Sequence, residues 1–207
     1  MPSMSSDFTV RPVILGYGHT PDAAYSAAVD NAIHGPNGVA KFYHAYGQSL
    51  DWREPYRTAS FSTDYRTMAN PWYPIYHHLY VETQFIAPEE LAIVIATDWQ
   101  EQDEAAGWGG VPMGLVGKFS ADRLLSPDLL DDWLPEGIIA HEVGHALGFA
   151  HDYTRPNNVM GAGVWRWPEC GPSQHMIDLA AAKTAASTLI REASGVAAFM
   201  LAEPCRR

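Results

Sequence analysis

Residues 141–152, which spell H-E-V-G-H-A-L-G-F-A-H-D, carry the side chains of this chain that are best suited to metal chemistry. On a helix, His141 and His145 lie one turn apart on the same face, so both imidazoles can reach one metal ion. Glu142 lies about 100° further round the helix, beside the metal rather than on it, where it can hold a metal-bound water. The spacing therefore predicts two ligands and a general base on one helix.

The third ligand of the predicted site is His151, which lies beyond the end of the same helix. A straight helix cannot bring His151 to a metal held by His141, so the chain must turn, and Gly148 is the residue type that ends helices in a left-handed conformation. Three neutral imidazoles and a water form an open tetrahedral site, which is typical of catalytic zinc. From this chain's own residue frequencies, the five fixed positions have a chance of occurring together on the order of 10⁻⁴.

The composition excludes several classes of protein. The 207 residues are 47% hydrophobic and 18% charged, which excludes intrinsic disorder. No stretch approaches the ~20 apolar residues that a membrane span needs. Lys and Arg total 13 against 24 Asp and Glu, a formal net charge of -11, which argues against nucleic acid or an anionic membrane as a partner. We expect a single domain that is a monomer.

Hydrophobic periodicity and turn residues predict the elements that must position the site. We expect strands or extended segments at residues 8–15, 59–63, 77–86, 91–97 and 111–119. We expect helices after Thr20-Pro21-Asp22, at residues 39–46, at residues 135–147 and from Ser173. An acidic, glycine-rich loop is expected at residues 98–110. Helices that alternate with strands favour a sheet covered by helices.

The long motif resembles that of the metzincins, a clan of zinc endopeptidases, at all five fixed positions. In that clan a turn that contains Met follows the third histidine, and Met160 fits this turn in type and position, nine residues after His151. Asp152 directly follows the third histidine, as in adamalysins. The segment that begins at Ser173 resembles the start of the C-terminal helix in matrixins, although serine is also a common N-cap residue in helices of any family.

This resemblance to matrixin-type and adamalysin-type catalytic domains implies an α+β, metzincin-like zincin fold. Such a fold has a twisted, mixed but mostly parallel sheet with helices, and a small irregular C-terminal lobe that ends in a helix. It implies one catalytic domain over residues 1–207. Residues 1–150 would form the lobe with the sheet and the zinc helix, and residues 151–207 the lobe with the Met turn and the last helix.

The resemblance also implies that an extended peptide pairs with the edge strand of the sheet, in the cleft between the lobes. We assign that edge to residues 110–119, where Gly114, Leu115 and Val116 would contact the substrate. An ordinary interior strand fits these residues nearly as well.

One wall of the specificity pocket is expected at residues 161–167. Trp165 or Trp167 would line it, although the usual place for Trp is a core.

The function that these residues predict is zinc-dependent hydrolysis of peptide bonds. The zinc ion would lower the pKa of its water towards ~7 and polarise the scissile carbonyl. Glu142 would take the proton of the water and return it to the leaving amine. Two alternatives are a zinc-containing module that binds peptides without turnover and a zinc hydrolase of a non-peptide amide. A Ca²⁺ site at residues 98–104 has only acidic composition to support it.

The two cysteines and the N-terminus bear on the compartment. We predict a disulfide between Cys170 and Cys205, which would close a loop of about 35 residues and stabilise the fold by roughly 3–4 kcal/mol. The alternative is two unrelated thiols, as in a reducing cytosol. Peptidases of this type are mostly exported, so we expect a secreted, extracellular protein. The lack of a signal peptide at the N-terminus fits a cytoplasmic one.

Overall fold

The structure is a computed structural model that describes residues 8–61, 63–100, 105–126, 134–161, 166–181 and 203–206. Its centre is a mostly parallel sheet of seven strands. In chain order these are β1 (Phe8–Leu15), β2 (Leu50–Trp52), β3 (Tyr56–Thr58), β4 (Leu91–Ala96), β5 (Ala105–Gly110), β6 (Met113–Val116) and β7 (Glu203–Arg206).

The order of strands across the sheet is β2-β1-β4-β6-β5-β7, and β3 pairs with the second half of β1. Strands β1, β2, β3, β4 and β6 run parallel to one another, whereas β5 is antiparallel to both β6 and β7. Because β4 is buried along its whole length, its sequence is a continuous apolar run rather than an alternating one.

Within the described ranges, six helices and one π-helical segment accompany the sheet. They are α1 (Ala23–His34), α2 (Val39–Ala45), α3 (Trp72–Tyr76), the π-helical segment His77–Glu82, α4 (Lys118–Leu125), α5 (Pro135–Ala146) and α6 (Gln174–Ala181). Helix α5 packs against β4, β5 and β6, and α1, α2 and α4 also contact it. Every residue of α5 except Glu136 is buried, so the helix that carries the chemistry runs through the core. Among the described helices, none combines the length and the apolar character of a membrane span.

Most of the strongly patterned elements are confirmed. Strand β1 has the predicted bounds, β4 and α5 end within one residue of prediction, and α2 and α6 form where expected. Helix α1 is capped by Asp22, whose carboxylate accepts a hydrogen bond from the Ala24 amide at 2.8 Å. Ser173 caps α6, since its hydroxyl accepts a hydrogen bond from the Met176 amide at 3.2 Å.

Two local predictions before β4 are wrong. The strand expected at residues 59–63 is replaced by β2 and β3, which lie just before it, and the described residues of 59–63 are a turn. Residues 77–82 are π-helical rather than extended. The reason is an aromatic stack that needs helical spacing: the ring centroids of Trp72 and Tyr76 are 5.2 Å apart, and those of Tyr76 and Tyr80 are 5.0 Å apart.

The region between β4 and α5 differs most from prediction. Part of the glycine-rich loop expected at residues 98–110 is strand β5. The strand expected at residues 111–119 ends at Val116, and α4 begins at Lys118. Residues 101–104, which would form most of the expected Ca²⁺ site, lie outside the described residues.

Candidate metal centre

Three imidazoles converge at the C-terminal end of α5. The Nε2 atoms of His141 and His145 are 3.1 Å apart, and the Nε2 atom of His151 is 3.3 Å from each of them. Nitrogens at the corners of a tetrahedron with Zn–N bonds of ~2.0–2.1 Å would be about 3.3–3.4 Å apart. Within the described residues, this is the only group of three His, Cys, Asp or Glu side chains that could hold a metal ion. The triangle therefore fits a tetrahedral zinc ion.

The other nitrogen of each ring faces an oxygen. The Nδ1 atom of His141 lies 2.5 Å from the Val159 carbonyl oxygen, and that of His145 lies 2.7 Å from the Phe149 carbonyl oxygen. The Tyr153 hydroxyl lies 3.4 Å from the Nδ1 atom of His151. A carbonyl partner holds the proton on Nδ1 and leaves Nε2 as the ligand atom, which is the usual arrangement around zinc.

The environment keeps the first two imidazoles neutral. Burial lowers the pKa of His141 to about 3, and the nearby His151 ring adds to the shift. Burial, followed by the two neighbouring imidazoles, lowers the pKa of His145 well below 6.5. A metal ion binds neutral imidazole, so the fold itself supplies the protonation state that a ligand needs.

Glu142 is fully buried where α5 crosses β5 and β6. Glycines line this crossing. A Cβ atom added to Gly109 would lie 2.7 Å from the Glu142 Oε2 atom, and one added to Gly107 would lie 2.8 Å from its Cδ atom. A Cβ atom added to Gly114 would meet the Glu142 main chain at 2.6 Å. These three glycines, which we call the glycine cradle, let the helix approach the sheet closely enough to bury the carboxylate.

The turn that returns His151 to the helix forms at the expected glycine. Gly148 has φ of 93°, in the left-handed region. The Phe149 amide then donates to the Gly144 carbonyl at 3.0 Å, which closes the helix end. The short connection carries His151 back to the face of α5 that holds the other two imidazoles.

Met160 lies beneath the metal-binding helix. It is fully buried, and a Cβ atom added to Gly144 would collide with its Sδ atom. The Asp152 amide donates to the Met160 carbonyl at 2.8 Å. The Asn158 side chain donates to the Asp152 carbonyl at 3.1 Å and accepts from the Met160 amide at 2.9 Å. Asn158 thus joins the segment after His151 to the turn at Met160, a role that sequence analysis missed.

Asp152 connects the third histidine to the last described helix. Its Oδ1 atom accepts from the Thr154 amide and hydroxyl at 2.9 and 2.6 Å, and its Oδ2 atom accepts from the Gln174 amide at 3.0 Å. The Thr154 hydroxyl, followed by the Gln174 amide, lowers the pKa of Asp152. Asp152 is therefore a structural anion whose three hydrogen bonds join the segment after His151 to the start of α6.

The substrate edge predicted at Gly114, Leu115 and Val116 is wrong. Strand β6 lies inside the sheet, since it pairs with β4 on one side and β5 on the other. All three residues are buried. The chain places β5 first and then folds back to insert β6 next to β4, so the later strand is the interior one.

The predicted pocket wall is described only in part. Trp165 lies outside the described residues. Trp167 is buried, its ring centroid is 4.8 Å from that of Phe42, and its Nε1–H donates to the Asn37 carbonyl at 3.1 Å. Trp167 therefore belongs to the core between the C-terminal residues and α2, which was the alternative interpretation.

The predicted disulfide differs from the structure, in which Cys170 is a free, buried thiol. Burial raises the pKa of the Cys170 thiol to about 12. The main chain of Cys205 is held elsewhere, in β7 opposite Gly107, because the last residues return to the sheet. The Cys205 side chain lies outside the described part of the chain.

Together, the sheet order, the buried α5 and the turn to the third imidazole define a metzincin-like zincin fold around a three-histidine centre. The chain is similar to archaemetzincin from Methanopyrus kandleri, a crystal structure that it matches with a TM-score of 0.52 and 15% sequence identity. The match covers 89% of this chain and 99% of that chain. No protein-family model and no curated relative matches the chain. The likeness shows the fold and does not single out matrixins or adamalysins.

Proposed function

We propose that this protein is a zinc-dependent endopeptidase. The observation that carries the proposal is the imidazole triangle together with the buried carboxylate of Glu142, the residue that directly follows His141. Structural zinc sites are closed by four protein ligands and need no base, whereas three ligands beside a carboxylate are typical of catalytic sites. The neighbour's name, archaemetzincin, is consistent with this class.

In the proposed reaction, the three histidines and Glu142 have separate roles. His141, His145 and His151 would hold the zinc ion, which supplies an acidified water and a polarised carbonyl when it is bound. Glu142 accepts a proton from the attacking water while the oxygen of that water bonds to the carbonyl carbon. Glu142 then delivers that proton to the nitrogen as the C–N bond breaks. The glycine cradle buries this carboxylate next to His145, since one Cβ atom added at Gly109 would contact both side chains.

The substrate in this proposal is an extended peptide that runs along β5. Extended peptides bind by adding a strand to a sheet edge, where main-chain hydrogen bonds give affinity. Strand β5 faces Glu142 and His145 through Gly107 and Gly109, so a peptide on its outer side lies next to the site. This replaces the edge first assigned to β6.

The test is hydrolysis of a quenched fluorescent peptide library by zinc-loaded Glu142→Gln and wild-type protein. We expect kcat/KM to fall by about 10²- to 10⁴-fold, with zinc still bound near one ion per chain by elemental analysis. Glu136→Gln is the matched control, because Glu136 lies on the same helix and is the one residue of α5 that is not buried. Retained turnover in zinc-loaded Glu142→Gln would remove Glu142 from the mechanism. A zinc-loaded wild-type protein that cleaves no peptide of the library would contradict the proposed function.

A further inference from the structure

The outer side of β5 is already occupied by a strand of this chain. Strand β7 (Glu203–Arg206) runs antiparallel to β5, with Glu203 opposite Gly109, Pro204 opposite Trp108 and Cys205 opposite Gly107. It is the last strand in the order of the sheet. The C-terminal segment therefore lies where the proposed substrate would add its strand.

The register places this segment beside the catalytic part of β5. In β5, Gly107 faces Glu142, and Gly109 faces both Glu142 and His145. Residues of β7 opposite them lie one strand spacing away, about 4.8 Å. A substrate whose scissile bond is to reach the imidazole triangle needs the same stretch of β5.

We infer that residues 203–206 are an internal occupant of the peptide-binding edge, a strand that excludes substrate until it is displaced. The inference rests on the proposed function, because it identifies the edge of β5 as the place where substrate binds. The segment is held by main-chain pairing, the same kind of interaction that a peptide substrate would use.

The pairing is suited to displacement rather than to permanent closure. The strand has four residues, and Pro204 has no amide N–H to donate to the ladder. A tethered segment reaches an effective concentration on the order of millimolar. If the free segment binds with a Kd of ~0.1 mM, the tether weakens peptide binding about tenfold.

The experiment compares two double variants of the 207-residue chain, which differ in the main-chain amides of β7. Glu203→Pro combined with Cys205→Pro removes the N–H groups on both sides of Pro204 and prevents strand pairing. Glu203→Ala combined with Cys205→Ala makes the same side-chain losses and keeps both amides. Each is measured by amide hydrogen exchange at residues 107–110 and by anisotropy with a fluorescein-labelled peptide, Ala-Glu-Pro-Ser-Arg-Arg, which matches residues 202–207 with Ser for Cys. A third variant, Glu203→Pro alone, tests a milder loss of pairing.

In the proline variants we expect exchange at β5 to rise by at least about tenfold and the labelled peptide to bind about tenfold more tightly. The alanine control should match wild type in both measurements. Neither readout needs turnover, so they decide the inference even if no peptide is cleaved. Unchanged exchange and unchanged peptide binding in folded proline variants would overturn it. Loss of the cooperative thermal transition in both proline variants would overturn it too, because β7 would then be a structural strand.

Discussion

Replacing Gly109 by Ala tests whether the glycine cradle sets the position of the catalytic groups. The added Cβ atom would lie 2.6 Å from the His145 Cγ atom and 2.7 Å from the Glu142 Oε2 atom. The nearest atom is the His145 Cβ atom, which moves only with the main chain of α5. Ordinary carbon contacts are ~3.5–4.0 Å, so β5 and α5 must separate locally by about 1 Å. Overpacking of this kind typically costs about 1–3 kcal/mol of stability. A misplacement near 1 Å can cost about 10²-fold in rate.

The assay for Gly109→Ala combines thermal unfolding, zinc affinity and hydrolysis of the peptide library. We expect Tm to fall by roughly 3–9 °C, which corresponds to this range of energies in a chain of this length. We expect kcat/KM to fall by about 10²-fold in the zinc-loaded protein. Gly171→Ala is the matched control, because its added Cβ atom would lie 3.7 Å from the nearest atom, an Arg155 guanidinium nitrogen. Wild-type values of Tm and kcat/KM in Gly109→Ala would refute the inference that the close approach of α5 to β5 positions the catalytic groups.

Three further predictions concern the surroundings of α5. His151→Ala should weaken zinc affinity by at least about tenfold in a chelator competition, since one of the three ligands is lost, while exposed His44→Ala should not. Equal affinities would place the third ligand elsewhere. Tyr43→Phe removes the buried hydroxyl that donates to the Ala140 carbonyl at 2.6 Å, and should cost about 1 kcal/mol in denaturant unfolding; no change in the midpoint would contradict this. Asp152→Asn places an amide where three hydrogen-bond donors now point, and should lower the free energy of unfolding by about 1.5–3 kcal/mol in the same assay. An unchanged free energy of unfolding would contradict this.

The metal centre could be predicted from sequence because its signals are local. His141 and His145 are one helical turn apart, and Gly148 marks the helix end that returns His151. Each of these relations involves at most ten residues of chain, and helix geometry converts the spacing directly into position. The supporting contacts at Asn158 and Tyr43 could not be found in this way, since they depend on which segments meet in the folded chain.

The edge of the sheet was mispredicted because strand order is a non-local property. Residues 111–119 are apolar enough to be a strand, but their sequence does not indicate whether another strand pairs with them on the outer side of the sheet. The glycine-rich residues before them looked like a loop. The informative signal in this segment is the spacing of Gly107 and Gly109, which are two residues apart and therefore on one face of a strand. A strand with glycine on one face is a surface against which another element packs closely, and here that element is α5.

The packing of α5 explains how the Nε2 atoms of three imidazoles can lie so close to one another. One side of the helix rests on the glycine cradle, and another is held by Met160, which packs against Gly144. Burial between these surfaces lowers the pKa of His141 and His145, so that neutral nitrogens can approach to 3.1 Å without charge repulsion. The geometry of the ligands is thus a consequence of core packing, and substitutions in the cradle should change metal affinity although they touch no ligand atom. A centre built in this way is organised by the protein, and its affinity for zinc depends on the free energy that holds α5 in the core.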